Sequence, residues 1–140
     1  MAHSKLLLPH FHLETVDSTN EEAKRRAKQK KNQDLLDKGF IVTANTQTAG
    51  KGRHGHSWIS DSTDGLYYSL CFKPTSFSFD KVTDYHLSIG SDVATIIKTI
   101  TQIHIDLEWP NDLLIGHKKV AGILLETSIT NGKLLPDYLI

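Results

Sequence analysis

The side chains best placed to do chemistry lie in one short stretch, Gln47-Thr48-Ala49-Gly50-Lys51-Gly52-Arg53-His54-Gly55-His56. It holds three glycines and four potentially basic groups, Lys51, Arg53, His54 and His56. Glycine tolerates positive φ and lets backbone N–H groups approach a ligand closely. Such amides, with an ammonium and a guanidinium beside them, suit a phosphate or a carboxylate. Gly50, Gly52 and Gly55 also spell G-x-G-x-x-G, but the dinucleotide fingerprint needs a helix opening at the third glycine. His56-Ser57-Trp58-Ile59-Ser60-Asp61 starts no helix, and no Gly-Lys-Ser/Thr is present for a Walker loop. On residue types alone the stretch is an anion cradle or a mobile surface loop, and composition does not choose between them.

Other groups are weaker taken singly. Ser18-Thr19-Asn20-Glu21 matches a capping box, so Ser18 reads as a helix cap. Asn111 and Asp112 follow Pro110 and read as turn residues. Lys118 and Lys119 read as solvated hairpin lysines. His10/His12 and His54/His56 offer two ligands each where a closed zinc site needs four, and Cys71 is alone, so no metal site and no disulfide is expected.

These groups need a scaffold. His10 to Val16 reads as a strand, and the Ala-, Glu-, Lys- and Arg-rich segment through about Lys31 as a helix. Phe40 to Thr43 is a second strand, Asn45 to Asp64 a long polar loop of the kind that tends to be functional, and Leu66 to Phe72 a third strand. Ile89, Val93, Ile96, Ile97 and Ile100 recur on one face of a helix between Tyr85 and Ile100. Ile103, Ile105, Leu107 and Trp109 alternate as a strand with one buried face. Leu113 to Ile115 and Val120 to Ile129 follow, and Asn131-Gly132 signals a hairpin into Leu134 to Ile140. Helices segregated from hairpin-connected strands argue an α+β fold in one domain.

The sixteen basic and sixteen acidic residues cancel, which argues against wholesale nucleic-acid binding, so no DNA partner is expected. No stretch approaches the roughly 18 to 20 apolar residues of a membrane span, and Leu6-Leu7-Leu8 is too short for a signal segment. No membrane partner is expected, and the cytoplasm is the default compartment.

Four blocks together are more specific than any one: Asp17-Ser18-Thr19-Asn20, Gln47 to Trp58, Trp109-Pro110-Asn111-Asp112, and Lys119-Val120-Ala121-Gly122-Ile123-Leu124. In order and spacing they resemble the biotin–protein ligases, from about residue 10 to the last. The resemblance implies a mixed, mostly antiparallel sheet packed against helices, as in class II synthetases. It implies an ATP-dependent ligase that forms biotinyl-5'-AMP and passes biotin to a lysine of a biotin carboxyl carrier domain of a carboxylase. ATP and biotin are then substrates, Mg²⁺ accompanies ATP, and a homodimer stays open.

Carried over by resemblance, Ser18, Thr19, Asn20 and Gln47 contact biotin, as do Lys51, Gly52, Arg53, Lys119 and Gly122. Lys51 and Arg53 close over carboxylate and phosphate, Trp58 packs on adenine, and Asn111 and Asp112 face the nucleotide. Lys119 and Arg53 are the expected catalytic residues. The resemblance also implies that the chain is the N-terminal part of the catalytic domain, truncated at its C-terminal end. Neither a helix-turn-helix domain nor a C-terminal barrel is expected within it. Two further readings stand beside the ligase: a non-catalytic remnant that still binds biotin, and a lipoate or octanoyl transferase relative. Glu108 stands where the family usually has a lysine and His56 where an arginine is common.

Overall fold

The order of elements begins with a β-strand, β1 (His10–Val16), followed by helices α1 (Thr19–Ala27) and α2 (Gln33–Lys38), then β2 (Phe40–Gln47). β1 and β2 pair in parallel, with His10 opposite Ile41 and Val16 opposite Gln47, as a connection through helices allows. Two short strands, β3 (Gly50–Lys51) and β4 (Ser57–Trp58), precede β5 (Tyr67–Cys71), which pairs antiparallel with β2. The long helix α3 (Val82–Thr101) leads to the meander β6 (Asp106–Glu108), β7 (Asp112–Ile115) and β8 (Lys118–Gly122). β9 (Thr127–Ser128) and β10 (Tyr138–Leu139) form a final antiparallel ribbon. This computed structural model describes residues 7–60, 64–130 and 132–140. Asn131 of the Asn131-Gly132 hairpin signal lies outside the described residues, as does Asp61.

The chain forms two units, Met1–Ser76 with Glu126–Ile140, and Phe77–Leu125. In the first, α1 packs on β2 and β5. The core is Ala23, Ala27, Leu36, Phe40, Val42, Cys71, Tyr138 and Ile140, with Phe11 and Leu13 against it. Alternation does the sorting: along β5, Tyr67, Ser69 and Cys71 are buried while Tyr68 and Leu70 face out. Burial pushes the Cys71 thiol up to about 12, so it stays a thiol and supplies no nucleophile. β10 is held by backbone bonds from Phe72 N–H to Leu139 O and from Ile140 N–H to Glu126 O.

In the second unit, His86 is buried on α3 and spans two elements. Its Nδ1 donates to Val82 O at 2.9 Å and its Nε2 accepts from Leu125 N–H at 3.3 Å, the pattern of a neutral ring. Gly90 lets α3 lie close on β6, and a Cβ there would sit 3.0 Å from the Leu107 side chain.

Several expectations are corrected. The first helix ends at Ala27 rather than near Lys31, because the side-chain amides of Asn32 and Gln33 donate to the Arg26 and Ala27 carbonyls and close its end. The segment from Ile103 to Trp109 yields only the three-residue β6. Ile105 is buried, but Trp109, which follows the strand, is 70% exposed. On α3 the stripe lies on one face as expected, yet Ile96 and Ile100 are 56% and 75% exposed. β2 runs four residues beyond Thr43, and β10 is confined to Tyr138 and Leu139.

Phe40 is fully buried, with the Phe11 ring edge-on at 5.9 Å. Phe40→Ala should lower unfolding free energy by about 3–5 kcal/mol, read from the urea midpoint at unchanged slope.

Candidate functional site

The site residues of the first unit gather around the N-terminus of α1. Ser18 occupies the cap position with extended backbone, but its side chain makes no cap bond, so the capping box is overturned. Glu21 does not reach back to the cap because two lysines claim it: Lys24 Nζ and Lys51 Nζ each donate to Glu21 Oε1 at 2.8 Å. The terminus is satisfied from afar. Gln47, at the end of β2, accepts at Oε1 from the Thr19 N–H at 2.8 Å, and the Thr19 Oγ1 lies within hydrogen-bond distance of the same oxygen at 3.2 Å. Asp17 completes the entry to the helix. Its carboxylate takes the Ser18 N–H at 2.8 Å and both terminal nitrogens of Arg25 at 2.7 and 2.8 Å.

Behind Gln47 the expected long loop is a built ribbon. Gln47 Nε2 donates to Ser60 Oγ at 3.2 Å, and Gly50 pairs with Trp58 while Lys51 pairs with Ser57. Gly50 is obligatory, since a Cβ would fall 2.6 Å from the Trp58 carbonyl oxygen. Between the strands, Gly52 N–H donates to His56 O at 2.7 Å, and His54 and Gly55 adopt positive φ of 54° and 79°. The turn thus carries Arg53, half-buried, with the exposed His54 and His56 beside it.

Sequence reasoning missed three residues here: Ser60, Ser69 and Glu126. The buried Ser69 hydroxyl lies 2.8 Å from Thr19 Oγ1 and in short contact with Asn20 Oδ1. Asn20 Nδ2 donates to Glu126 Oε2 at 2.9 Å, and Lys24 Nζ donates to Glu126 Oε1 at 2.7 Å. A serine at an inward position of an alternating strand was a legible signal, and so was a lone glutamate after Ile123-Leu124-Leu125. A continuous polar network therefore runs Ser60–Gln47–Thr19–Ser69–Asn20–Glu126–Lys24–Glu21–Lys51. It offers donors and acceptors in a partly dry setting, with two cations at its rim.

The second unit holds the remaining expected residues. Lys119, on β8, donates to Asp112 Oδ2 at 2.7 Å across to β7. Gly122 stands directly opposite Asp112, so no side chain there crowds the carboxylate. Asp112 Oδ1 is buried and has no hydrogen-bond partner among the described residues. Asn111 is held in place: its Nδ2 donates to Ile123 O at 3.1 Å and its carbonyl accepts from Ile123 N–H at 2.9 Å. Glu108 is exposed and lies in register with Asp112. Among the described residues no three histidine, cysteine, aspartate or glutamate side chains form a metal-holding group.

The bidentate Arg25 contact holds the Asp17 carboxyl at about 2, well below its ordinary 3.8. A depressed carboxyl stabilises the fold above its unfolded value and loses that contribution as pH falls through the folded one. Acid titration should show this contribution complete above about pH 4 and lost by about pH 2, and Asp17→Asn should remove it. A variant with the same acid limb as the wild type would refute the assignment.

The sequence model of the biotin/lipoate A/B protein ligase family matches residues 13–136. The bifunctional ligase/repressor BirA of Bacillus subtilis (strain 168) is 38% identical over 88 residues, which is 63% of this chain and 27% of that protein. The biotin protein ligase of Aquifex aeolicus, solved in complex with biotin and ATP, superposes with a TM-score of 0.70 at 30% identity, covering 95% of this chain and 50% of that one. The Leishmania major biotin protein ligase, solved with biotinyl-5-AMP, gives a TM-score of 0.69 at 26% identity over 94% of this chain and 54% of that one. The chain thus spans about a quarter of the curated ligase/repressor's length and about half of these solved ligases. With the mixed α+β fold and the family match over most of its residues, the chain belongs to the biotin/lipoate A/B protein ligase family.

Proposed function

We propose that this chain carries out, or carries the substrate-binding part of, ATP-dependent biotin–protein ligation. A biotin carboxylate oxygen attacks the α-phosphorus of ATP, pyrophosphate leaves, and biotinyl-5'-AMP results. The acceptor lysine amine, on a biotin carboxyl carrier domain, then attacks the acyl carbon and AMP leaves. The observation that carries this reading is the corner of buried Thr19 and Ser69 with half-buried Asn20 and Gln47, polar groups at the α1 N-terminus with Lys51 and the Arg53 turn beside them. A cyclic urea needs such facing acceptors and donors, and an acyl phosphate needs such cations. The biotin-bound relatives of the same fold support the same reading.

In this reading Ser18, Thr19, Asn20 and Gln47 hold the biotin ring, and Lys51, Gly52 and Arg53 take its carboxylate and the phosphate. Trp58 packs on adenine, for which its flat ring is suited. Lys119 neutralises the carboxylate and α-phosphate, with Gly122 leaving room along β8. Its bond to Asp112 holds the ammonium in place until an anion competes for it. Asn111 and Asp112 serve the nucleotide side. Bound together with ATP, Mg²⁺ would supply neutralisation of the phosphate charge, with Asp112 as the residue that would help hold it. The unpartnered Asp112 Oδ1 is a hard oxygen of the kind it accepts, and a single carboxylate with substrate phosphates is its usual holding. Catalysis of this type rests on positioning and charge stabilisation.

The test is to incubate the purified chain with biotin, MgATP and an apo acceptor domain, and to measure adenylate and biotinylated acceptor separately. Both products are expected. Biotin binding without either product would replace the ligase with a binding remnant. Lys119→Ala should lower adenylate formation about 100- to 1,000-fold, and an unchanged rate would remove Lys119 from the catalytic set.

A further inference from the structure

We infer that Glu126 is a positioning residue that fixes the hydrogen-bond polarity of the biotin corner through Asn20 and Ser69. The inference rests on reading that corner as the biotin site. Glu126 is tied across more than a hundred residues of sequence to Asn20 and Lys24, and its side chain is 24% exposed. A carboxylate only accepts. Asn20 must therefore turn its NH₂ group towards Glu126 Oε2, which leaves Asn20 Oδ1 as the acceptor facing Ser69.

The consequence propagates because each hydroxyl carries one proton. Ser69 lies within bonding distance of both Asn20 Oδ1 and Thr19 Oγ1, and it can donate to only one. With its proton committed to Asn20, Ser69 becomes an acceptor for the Thr19 hydroxyl at 2.8 Å. Thr19 then has no proton for Gln47 Oε1, the longer of its two options at 3.2 Å. Gln47 Oε1 keeps the Thr19 N–H at 2.8 Å and one lone pair for a ligand N–H. The corner thus presents an acceptor, the complement of a cyclic urea's N–H groups.

Replacing the carboxylate by an amide removes this constraint. In Glu126→Gln, the new NH₂ group can donate to a reversed Asn20. The relay then runs from Asn20 to Ser69, from Ser69 to Thr19 and from Thr19 to Gln47, filling the acceptor that the ligand needs. The shape is unchanged, so a purely structural tie predicts little effect.

The experiment is calorimetric titration of the full chain with biotin, with thermal melts of each variant. Glu126→Gln should weaken binding about tenfold, the scale of one hydrogen bond to a well-placed group. Lys24→Met, which removes the ion pair and leaves the carboxylate, should weaken binding less than Glu126→Gln does. Wild-type affinity in Glu126→Gln would overturn the inference, and so would an equal loss in Lys24→Met. Should Glu126→Gln fail to fold, Glu126→Asp and Glu126→Asn repeat the comparison on a shorter arm. Equal affinity in that pair would overturn it too. A wild-type chain that binds no biotin defeats the reading of the corner itself, which separates the two failures.

Discussion

A single carboxamide holds the first unit's candidate site together. Gln47 stands at the last position of β2, where the strand would otherwise give way to loop. Its oxygen caps the α1 N-terminus in place of the local side chain that normally does so, and its nitrogen anchors Ser60 beyond the glycine ribbon. An uncapped helix start would leave orphan amides next to buried Ser18 and Thr19, at a cost of about 1 kcal/mol or more for each unsatisfied group. Because one residue meets both demands, helix, strand and ribbon share a register. Moving Gln47 by even one position would turn its side chain to the other face of the sheet.

The cations are held by a different logic. Lys51 rests on Glu21 and Lys119 on Asp112, both pairs partly exposed. Ion pairs in such settings contribute about 0–1 kcal/mol, so they place a side chain without trapping it. In the proposed reaction an arriving carboxylate or phosphate exchanges for the resident carboxylate at small cost. Glu21 is also bonded to Lys24, and the two lysines hold its carboxyl below its ordinary value, so it stays charged when Lys51 leaves.

The sequence was most legible where local chemistry was decisive. The strands β1 and β2, the amphipathic α3 and the family blocks were all readable because periodicity, turn residues and motif spacing are local properties, whereas the parallel pairing of β1 with β2 was not. Long-range partners were not. The capping box was a sound local match, yet Gln47 lay 28 residues away and fitted better, while Glu21 was drawn off by lysines that no window around Ser18 contains. Ser69 and Glu126 acquire meaning only once β5 and the segment after Leu125 come up against α1. The loop from Asn45 to Asp64 looked unstructured because β3 and β4 are two residues each, too short for any alternation to show.

Glu108 is the feature that departs most from the pattern, and magnitude decides its weight. Directly opposite residues of an antiparallel pair share a face, so its carboxylate lies on the side of Asp112. Like charges opposed in this way destabilise by a few tenths to 1 kcal/mol, and Lys119 offsets part of that through its bond to Asp112. Towards an incoming polyphosphate, a unit charge about 6 Å away in water-like surroundings costs roughly 0.7 kcal/mol before screening. Glu108 is exposed, so that high-dielectric figure is the relevant one. A penalty of this size changes nucleotide affinity a few-fold. In the proposed reaction it is a minor term, because the buried Asp112 oxygen and the Lys119 ammonium would act at contact distance, whereas Glu108 acts through solvent.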